Sequence, residues 1–547
     1  MEKHTQTLPQ DVERLQDIIL SLQEKLTLHQ SKQVELETSL QEKIDEIADL
    51  RFKLQKALMA RFGRRTEKFS PHQLNLFDEA APSDEEVTQD IQHADEEITV
   101  ASHSRQKSGR KPLPLDLPRE QIVHDLSPEE KVCACGHALH RIGEDVSEKL
   151  EFIPAQVKVI QHVRCKYACR ACEGAVKMAT LPAQPIPKSI ASPGLLAHVL
   201  VSKYVDHLPL YRQEQLLQRM GIDIPRATLC FWVLKSAEVL RPLRDWLKED
   251  IIIHTYTQAD ETPVQVLNEP DKPNTSKSYM WVYYGGTADK KSIVYDYQPT
   301  RSGQAAVNFL TNFKGRLQTD GYGGYNPFDS KPDVIHIGCW AHCRRKFAEI
   351  IKVSKTPGKA AMAVNYIRQL YAIEKEAREN YCSFEQRQTL RQQRAGPLLN
   401  EFKQWLEETQ RQVPPQSHIG KAIAYALNQW SLLIKYIDYG EVEIDTNRLE
   451  NMIRPFALGR KNWLFMGSDK GAEAGAIIYS LLATCKANLI EPYAYLKYVL
   501  DQLPRCKTDA ERKKLLPYAV DPLELVKAYS QPTWNQSVAE KVSATCS

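Results

Sequence analysis

Two aspartates, Asp260 in TYTQADETPV and Asp320 in LQTDGYGGY, each follow a short β-rich run. A glutamate, Glu450, lies in the segment DTNRLENMIRPF. Carboxylates brought together repel one another, and one protonates unless a cation neutralises them. Their hard oxygens suit Mg²⁺, which keeps waters and phosphate oxygens as its other ligands. Two such ions about 3.5–4 Å apart activate a water or a 3′-hydroxyl and stabilise the leaving oxygen, which is how phosphodiesters are cut and joined. In the glutamate segment Leu449, Met452, Ile453 and Phe456 make an apolar stripe at helical spacing, with Asn447, Glu450, Asn451 and Arg454 opposite. Arg454, one turn beyond Glu450, is placed to hold a phosphate, and Pro455 predicts a kink or an end nearby. Asn447-x-x-Glu450 has equally the form of an N-terminal capping box, in which the glutamate would only close a helix.

The elements that must position these residues begin near residue 251. HTYTQADETPVQVL, KSYMWVYYGG and KSIVYDYQ read as strands, and SGQAAVNFLTNF as a helix. GRLQTDGYGGY reads as a strand running into a glycine-rich turn, and DVIHIGCWAHCRRKF as a strand leading into a basic helix. Three strands, helix, strand, helix, strand is the order of a ribonuclease H-like α/β core. There the first and fourth strands pair in parallel, so Asp260 and Asp320, each at a strand end, would be adjacent. Residues 356–440 carry no strand signal and read as an all-helical insertion. On the basic helix, His342, Arg345 and Lys346 share one face with Arg344 beside it. Arg344 and Arg345 are expected to hold phosphates at the scissile bond, against the plainer reading of a solvated basic face. Cys339 and His342 stand one turn apart without a third ligand nearby, so no metal is expected there.

The rest of the chain reads as DNA-handling and assembly modules. A heptad from Val12 to Ala57 is apolar at eleven of fourteen a and d positions, predicting a coiled coil or a long helix packed on its own chain. Net charge is only +3, but residues 51–70 hold seven Lys/Arg against one Glu, and residues 71–100 hold nine Asp/Glu and no Lys/Arg. Segregation of this kind marks polyanion-binding patches, or solvated faces beside an acidic linker. Five of the twelve cysteines fall between Cys133 and Cys172. Cys133, Cys135, Cys169 and Cys172 make a plausible four-thiolate zinc site, with Cys165, His137, His140 or His162 as substitutes; reduced cysteines in a small packed domain are the alternative. Helices over Leu195–Tyr204, Leu210–Met220 and about Arg226–Leu240, the last two joined by a turn at Gly221, have helix-turn-helix spacing and offer Arg226, Thr228 and Lys235 to DNA. Helical hairpins without DNA have the same spacing. No run reaches the ~18 apolar residues of a membrane span, and the N-terminus lacks a secretory core, so a cytoplasmic location is expected.

Across nearly its whole length the chain resembles the large transposase of the insertion-sequence-66 family. The motifs are FGRRTEK (62–68), GRKPLPLDLPRE (109–120), CGHAL with IGEDVSEKLEFIPA (135–155), KYACRACE (166–173) and KYVDHLPLYRQE (203–214). They continue through ADETPV (259–264), LQTDGYGGY (317–325), GCWAHCRRKF (338–347), IDTNRLENMIRPFALGRKNWLFMGS (444–468) and GAIIYSLLATCKANLIEPYAYLKYVL (475–500). The resemblance implies an Asp-Asp-Glu transposase with Asp260, Asp320 and Glu450 as the acidic triad. It departs from the usual pattern at Cys133-x-Cys135, one residue short of Cys-x2-Cys, and at Glu450-Asn451, where many relatives have Glu-Arg.

The expectation is therefore a Mg²⁺-dependent enzyme, with two ions per site and one structural Zn²⁺, that cleaves at terminal inverted repeats and joins 3′-ends to target DNA. Its organisation would be a coiled coil (1–62), a basic turn and linker (63–125), a zinc module (126–182) and helix-turn-helix-like helices (183–248). The core (249–355 and 441–480) would be interrupted by the insertion (356–440) and followed by a helical region (481–547). DNA is expected at Arg64, Arg65, Arg226, Lys235, His342, Arg344, Arg345, Arg454, Arg460 and Lys461. A homodimer is the expected assembly, with small accessory proteins of the same element as possible partners. The rival readings are a catalytically silent DNA-binding protein or repressor derived from a transposase, and a structure-specific nuclease of the same fold.

Overall fold

The computed structural model describes residues 181–521 except 288 and 354–357, together with 524, 525, 157–162, two short strands and part of a helix between residues 20 and 54. The chain divides into two compact units, Thr88–Ala179 in one and Met1–Val87 with Thr180–Ser547 in the other. In the smaller unit, Lys166–Tyr167 and Lys177–Met178 pair antiparallel. The four cysteines named above lie outside the described residues, as do Arg64 and Arg65.

Where described, residues 20–54 are helical. The heptad residues Leu26, Leu36, Leu40, Ile47, Leu50 and Leu54 are exposed on it, between 49% and 66%. On the same helix Asp49 stands 3.6 Å from His418 of the insertion.

Three helices open the Thr180–Ser547 part of the larger unit. Helix α1 (Pro193–Tyr204) starts on Ser192, whose hydroxyl accepts the Leu195 N–H, with Pro193 in the first turn. Helix α2 (Leu210–Arg219) turns at Gly221, whose φ of 77° suits glycine. The Glu214 carboxylate then accepts the Arg226 N–H at 2.7 Å and caps α3 (Arg226–Ile253). The sequence reading ends this helix near Leu240. It runs on because Leu240, Leu243, Leu247 and Ile251 continue its buried stripe beyond Pro242. Its C-terminal part thereby packs beneath the sheet, where Ile251 meets Gly285.

The sheet contains β1 (Tyr256–Gln265), β2 (Lys277–Gly286) and β3 (Lys291–Gln298). Helix α4 (Gln304–Phe309) precedes β4 (Gly315–Gln318) and β5 (Val334–Ile337), which leads into α5 (Trp340–Val353). The spatial order is β3-β2-β1-β4-β5. Strands β1, β2 and β3 pair antiparallel, whereas β4 pairs parallel with both β1 and β5.

The insertion comprises α6 (Gly358–Glu379), α7 (Phe384–Leu390), α8 (Gly396–Gln410), α9 (His418–Asn428) and the short α10 (Trp430–Leu433). It has its own apolar core, around Ile367, Phe402, Ile423 and Trp430, and α5 contributes Trp340 and Phe347 to it. Beneath lies a buried ion cluster. Arg391 meets both oxygens of Glu374 at 2.7 and 2.8 Å, and Arg387 bridges Glu374 to Glu443 at 2.7 and 3.0 Å. Burial works against the ionised Glu374, but the two arginines outweigh it and hold its carboxyl below the ordinary range. Glu374→Ala would leave the buried Arg391 without its carboxylate and Arg387 with Glu443 alone, and should cost about 3–5 kcal/mol. Urea unfolding, with hydrogen exchange read over residues 358–443, checks this. A loss under about 1 kcal/mol would place the cluster with solvated surface pairs.

The chain re-enters the larger core through α11 (Asn447–Trp463), α12 (Asp469–Ala487), α13 (Pro492–Gln502) and α14 (Asp509–Lys513). Helix α12 covers the edge of β3: Thr484 and Ser480 hydroxyls accept the Ile293 and Tyr295 N–H groups at 3.1 and 2.8 Å. The otherwise open edge is thereby satisfied. Among the described residues no helix is long and apolar enough to cross a membrane.

Candidate active site

The parallel ladder between β1 and β4 runs from Tyr256↔Arg316 to Gln258↔Gln318. Two residues further on each side stand Asp260 and Asp320. Asp260 does not end its strand, as the sequence reading expects; it sits in the middle of β1, opposite Val282 of β2. What ends there is β4, so the side chain occupies the mouth left where the parallel partner stops.

The glycine-rich turn after Asp320 is tied down on several sides. Asp320 Oδ1 accepts the Tyr322 N–H at 2.9 Å, and the Tyr322 hydroxyl donates to the Arg301 carbonyl at 2.6 Å. The Arg301 guanidinium lies 3.9 Å from the centroid of the Tyr322 ring and pairs with Glu261 at 2.6 Å. A side chain at Gly321 would have its Cβ 2.6 Å from the Tyr425 hydroxyl, so glycine lets the insertion close on this turn.

Glu450 arrives from the far side. The start of α11 is fixed by Asp445, whose carboxylate accepts the Asn447 N–H at 3.0 Å and its amide at 2.8 Å. Tyr371 of the insertion donates to Asp445 at 2.6 Å. Thr446 donates through N–H and hydroxyl to the buried Cys339 sulfur at 3.3 and 3.2 Å, joining α11 to the start of α5. The capping-box alternative is not realised: Asn447 is the first helical residue, and the Glu450 carboxylate turns to α5. There Arg345 Nη2 donates to both of its oxygens at 2.8 Å, and His342 Nε2 stands 3.5 Å from Oε1. Nor does Pro455 end the helix, which continues to Trp463.

One ligand atom each from Asp260, His342 and Glu450 lie within 4.8 Å of one another. The Asp260 carboxyl is pushed up to about 7 by burial, and the Asp320, Glu261 and Glu450 carboxylates add to this against the opposing effect of His342. Burial and Asp320 likewise raise Glu261, against Arg301 and Tyr325. Negative charge is therefore crowded around Asp260 in a poorly solvated mouth, a place where a cation lowers the cost.

His342, read from sequence as a DNA contact with no metal nearby, instead joins the acidic cluster. Its partners come from β1 and α11, and no local spacing signals them. Cys339 lies outside that group, its buried thiol pushed up to about 12 and its sulfur taken up by Thr446. Arg344 and Arg454 are half-buried and Lys461 is exposed. Arg460 is turned inward onto β1, donating to the Thr262 hydroxyl at 3.1 Å and to the Pro263 carbonyl. Arg226 is exposed, and Lys235 pairs with Glu238 at 2.8 Å.

Comparison with known proteins gives four matches along the chain. The transposase IS66 family matches residues 188–474, and the zinc-finger binding domain of transposase IS66 matches residues 130–173. The family described as transposase C of IS166 homeodomain matches residues 49–122, and the IS66 C-terminal element matches 480–518. Three relatives from Sinorhizobium fredii are named only as uncharacterized proteins. The first, y4jD, is 36% identical over 74% of this chain and 81% of its own length. The second, y4hP, is 32% identical over 84% and 86%, and the third, y4qI, is 30% identical over 94% and 98%.

Proposed function

This chain belongs to the IS66 transposase family, and from that premise we propose that it cuts DNA at the ends of a mobile element and joins the freed 3′-ends to a target. The reading rests on one observation above others. Asp260 and Asp320 follow the last rung of a parallel ladder, and Glu450 is brought to Asp260 from a helix on the far side of an insertion. The sheet order, with its antiparallel half and parallel half, supports a ribonuclease H-like core.

Asp260, Asp320 and Glu450 would hold two divalent cations, taken here as Mg²⁺. The raised Asp260 carboxyl fits that role, since a bound cation relieves the crowding that favours its proton. When bound, such ions activate the attacking water or 3′-hydroxyl and stabilise the leaving oxygen. The protein fixes the three carboxylates: Asp260 in a strand paired on both sides, Asp320 through its turn, and Glu450 through Arg345. Arg344 and Arg454, with exposed Lys461, would grip the flanking phosphates.

End recognition would fall to the α2–α3 pair, the basic turn at Arg64 and Arg65, and the zinc module. The exposed heptad leucines support a homodimer in which two copies pair two DNA ends. Incubation of the purified chain with DNA carrying the terminal inverted repeats, in Mg²⁺ or Mn²⁺, tests the proposal. Strand breaks at the repeat ends with 3′-hydroxyls, then joined products with a plasmid target, are expected. Tight binding without any cutting in either cation would leave a silent DNA-binding protein.

The zinc-finger match supports one structural Zn²⁺ on Cys133, Cys135, Cys169 and Cys172. Metal analysis of the purified protein should return about one zinc per chain, and Cys169→Ser or Cys172→Ser should lose it. Because such modules draw folding energy from the metal, protease should then open residues 126–180 first. Zinc-free protein that is reduced and resists protease there would overturn the assignment.

A further inference from the structure

We propose that His342 is a nitrogen ligand to a cation held with Asp260 and Glu450, so that one metal position has mixed oxygen and nitrogen donors and favours Mn²⁺ over Mg²⁺. This deepens the reading of Asp260 and Glu450 as metal-holding carboxylates and rests on it.

Helix α5 is seated by Trp340, Cys343 and Phe347, all buried. That leaves His342 and Arg345, one turn apart, on a face turned to Glu450. The two side chains meet the carboxylate differently. Arg345 makes hydrogen bonds of 2.8 Å to both oxygens, whereas the His342 nitrogen stays 3.5 Å away, beyond a good hydrogen bond. Donors around one ion at about 2.1 Å stand roughly 3–4 Å apart, so this separation suits two ligands of a common cation. The third donor, an oxygen of Asp260, completes a set within 4.8 Å.

The ring is also short of partners within the protein. His342 Nδ1 is buried with no hydrogen-bond partner, and only 15% of the side chain is exposed. Its most evident alternative role, neutralising Glu450, is already filled by Arg345. Two carboxylates and a neutral imidazole around a divalent ion balance in charge, and Arg345 remains as the outer contact that orients the ligating glutamate. Imidazole moves such a site away from the all-oxygen preference of Mg²⁺ towards later divalent metals.

Mn²⁺ binding to the full-length, zinc-loaded protein, followed by pulsed electron paramagnetic resonance, tests the assignment. The bound ion should show a nitrogen coupling that changes when histidine is labelled with ¹⁵N and vanishes in His342→Gln. That variant should bind Mn²⁺ about tenfold more weakly, with Mg²⁺ affinity changed much less. Mn²⁺ bound in the wild type without any histidine coupling would overturn the proposal and leave the carboxylate site intact. Binding that survives unchanged in Asp260→Asn would overturn the site itself, and the proposal with it.

Discussion

Replacing Glu450 by glutamine should lower strand cleavage and joining by roughly a thousandfold or more, the scale of losing an oriented charge in a poorly solvated site, while binding of the element end stays close to wild type. Glutamine keeps the shape and leaves an acceptor for Arg345, so the start of α11 should stay on Asp445 and Cys339. What is lost is the negative charge facing Asp260 and His342. Phosphoryl transfer depends on positioned cations and little on covalent chemistry by the protein, so few alternatives remain once a ligand is lost. Asp260→Asn and Asp320→Asn should behave alike, and a double variant should be little worse than either single one, because the ligands act as a unit. Single-turnover cleavage of labelled ends, beside a mobility-shift titration, separates the two quantities. A Glu450→Gln protein that cuts near the wild-type rate would place the third carboxylate elsewhere.

Much of the core is legible in the sequence. The runs KSYMWVYYGG and KSIVYDYQ have few choices but to become buried strands, and they form β2 and β3. The order of elements implied the parallel neighbourhood of Asp260 and Asp320, and the ladder ends two residues before each. The sequence pattern was silent wherever a contact joined distant segments. Nothing near His342 marks it as a neighbour of Asp260, since the other members of the cluster belong to β1 and α11. Arg460 looks like a free basic residue, but Thr262 and the Pro263 carbonyl of β1 take up its guanidinium. A proline at 242 argues for an early helix end, yet four buried apolar residues from Leu240 to Ile251 carry α3 through it. In each case tertiary packing outweighed a local rule.

Arg345→Ala should cut the cleavage rate by two to three orders of magnitude, about what one lost oriented donor costs, with end binding changed only a few-fold. The guanidinium uses a single nitrogen, Nη2, for both oxygens of Glu450. Its Nε and Nη1 have no protein partner among the described residues, and the side chain is 33% exposed. One residue could therefore hold the proposed metal-binding carboxylate on one side and a DNA phosphate on the other, which would couple the placement of ligand and substrate. Arg345→Lys separates the two contacts: an ammonium can replace Nη2 against Glu450 but cannot also present the rest of the fork. A lysine enzyme at about a tenth of wild-type rate or lower is expected, since misplacement of about 1 Å near the reacting bond can cost a hundredfold. Full activity with lysine would reduce Arg345 to a support for Glu450, and full activity with alanine would make the pair an incidental surface contact.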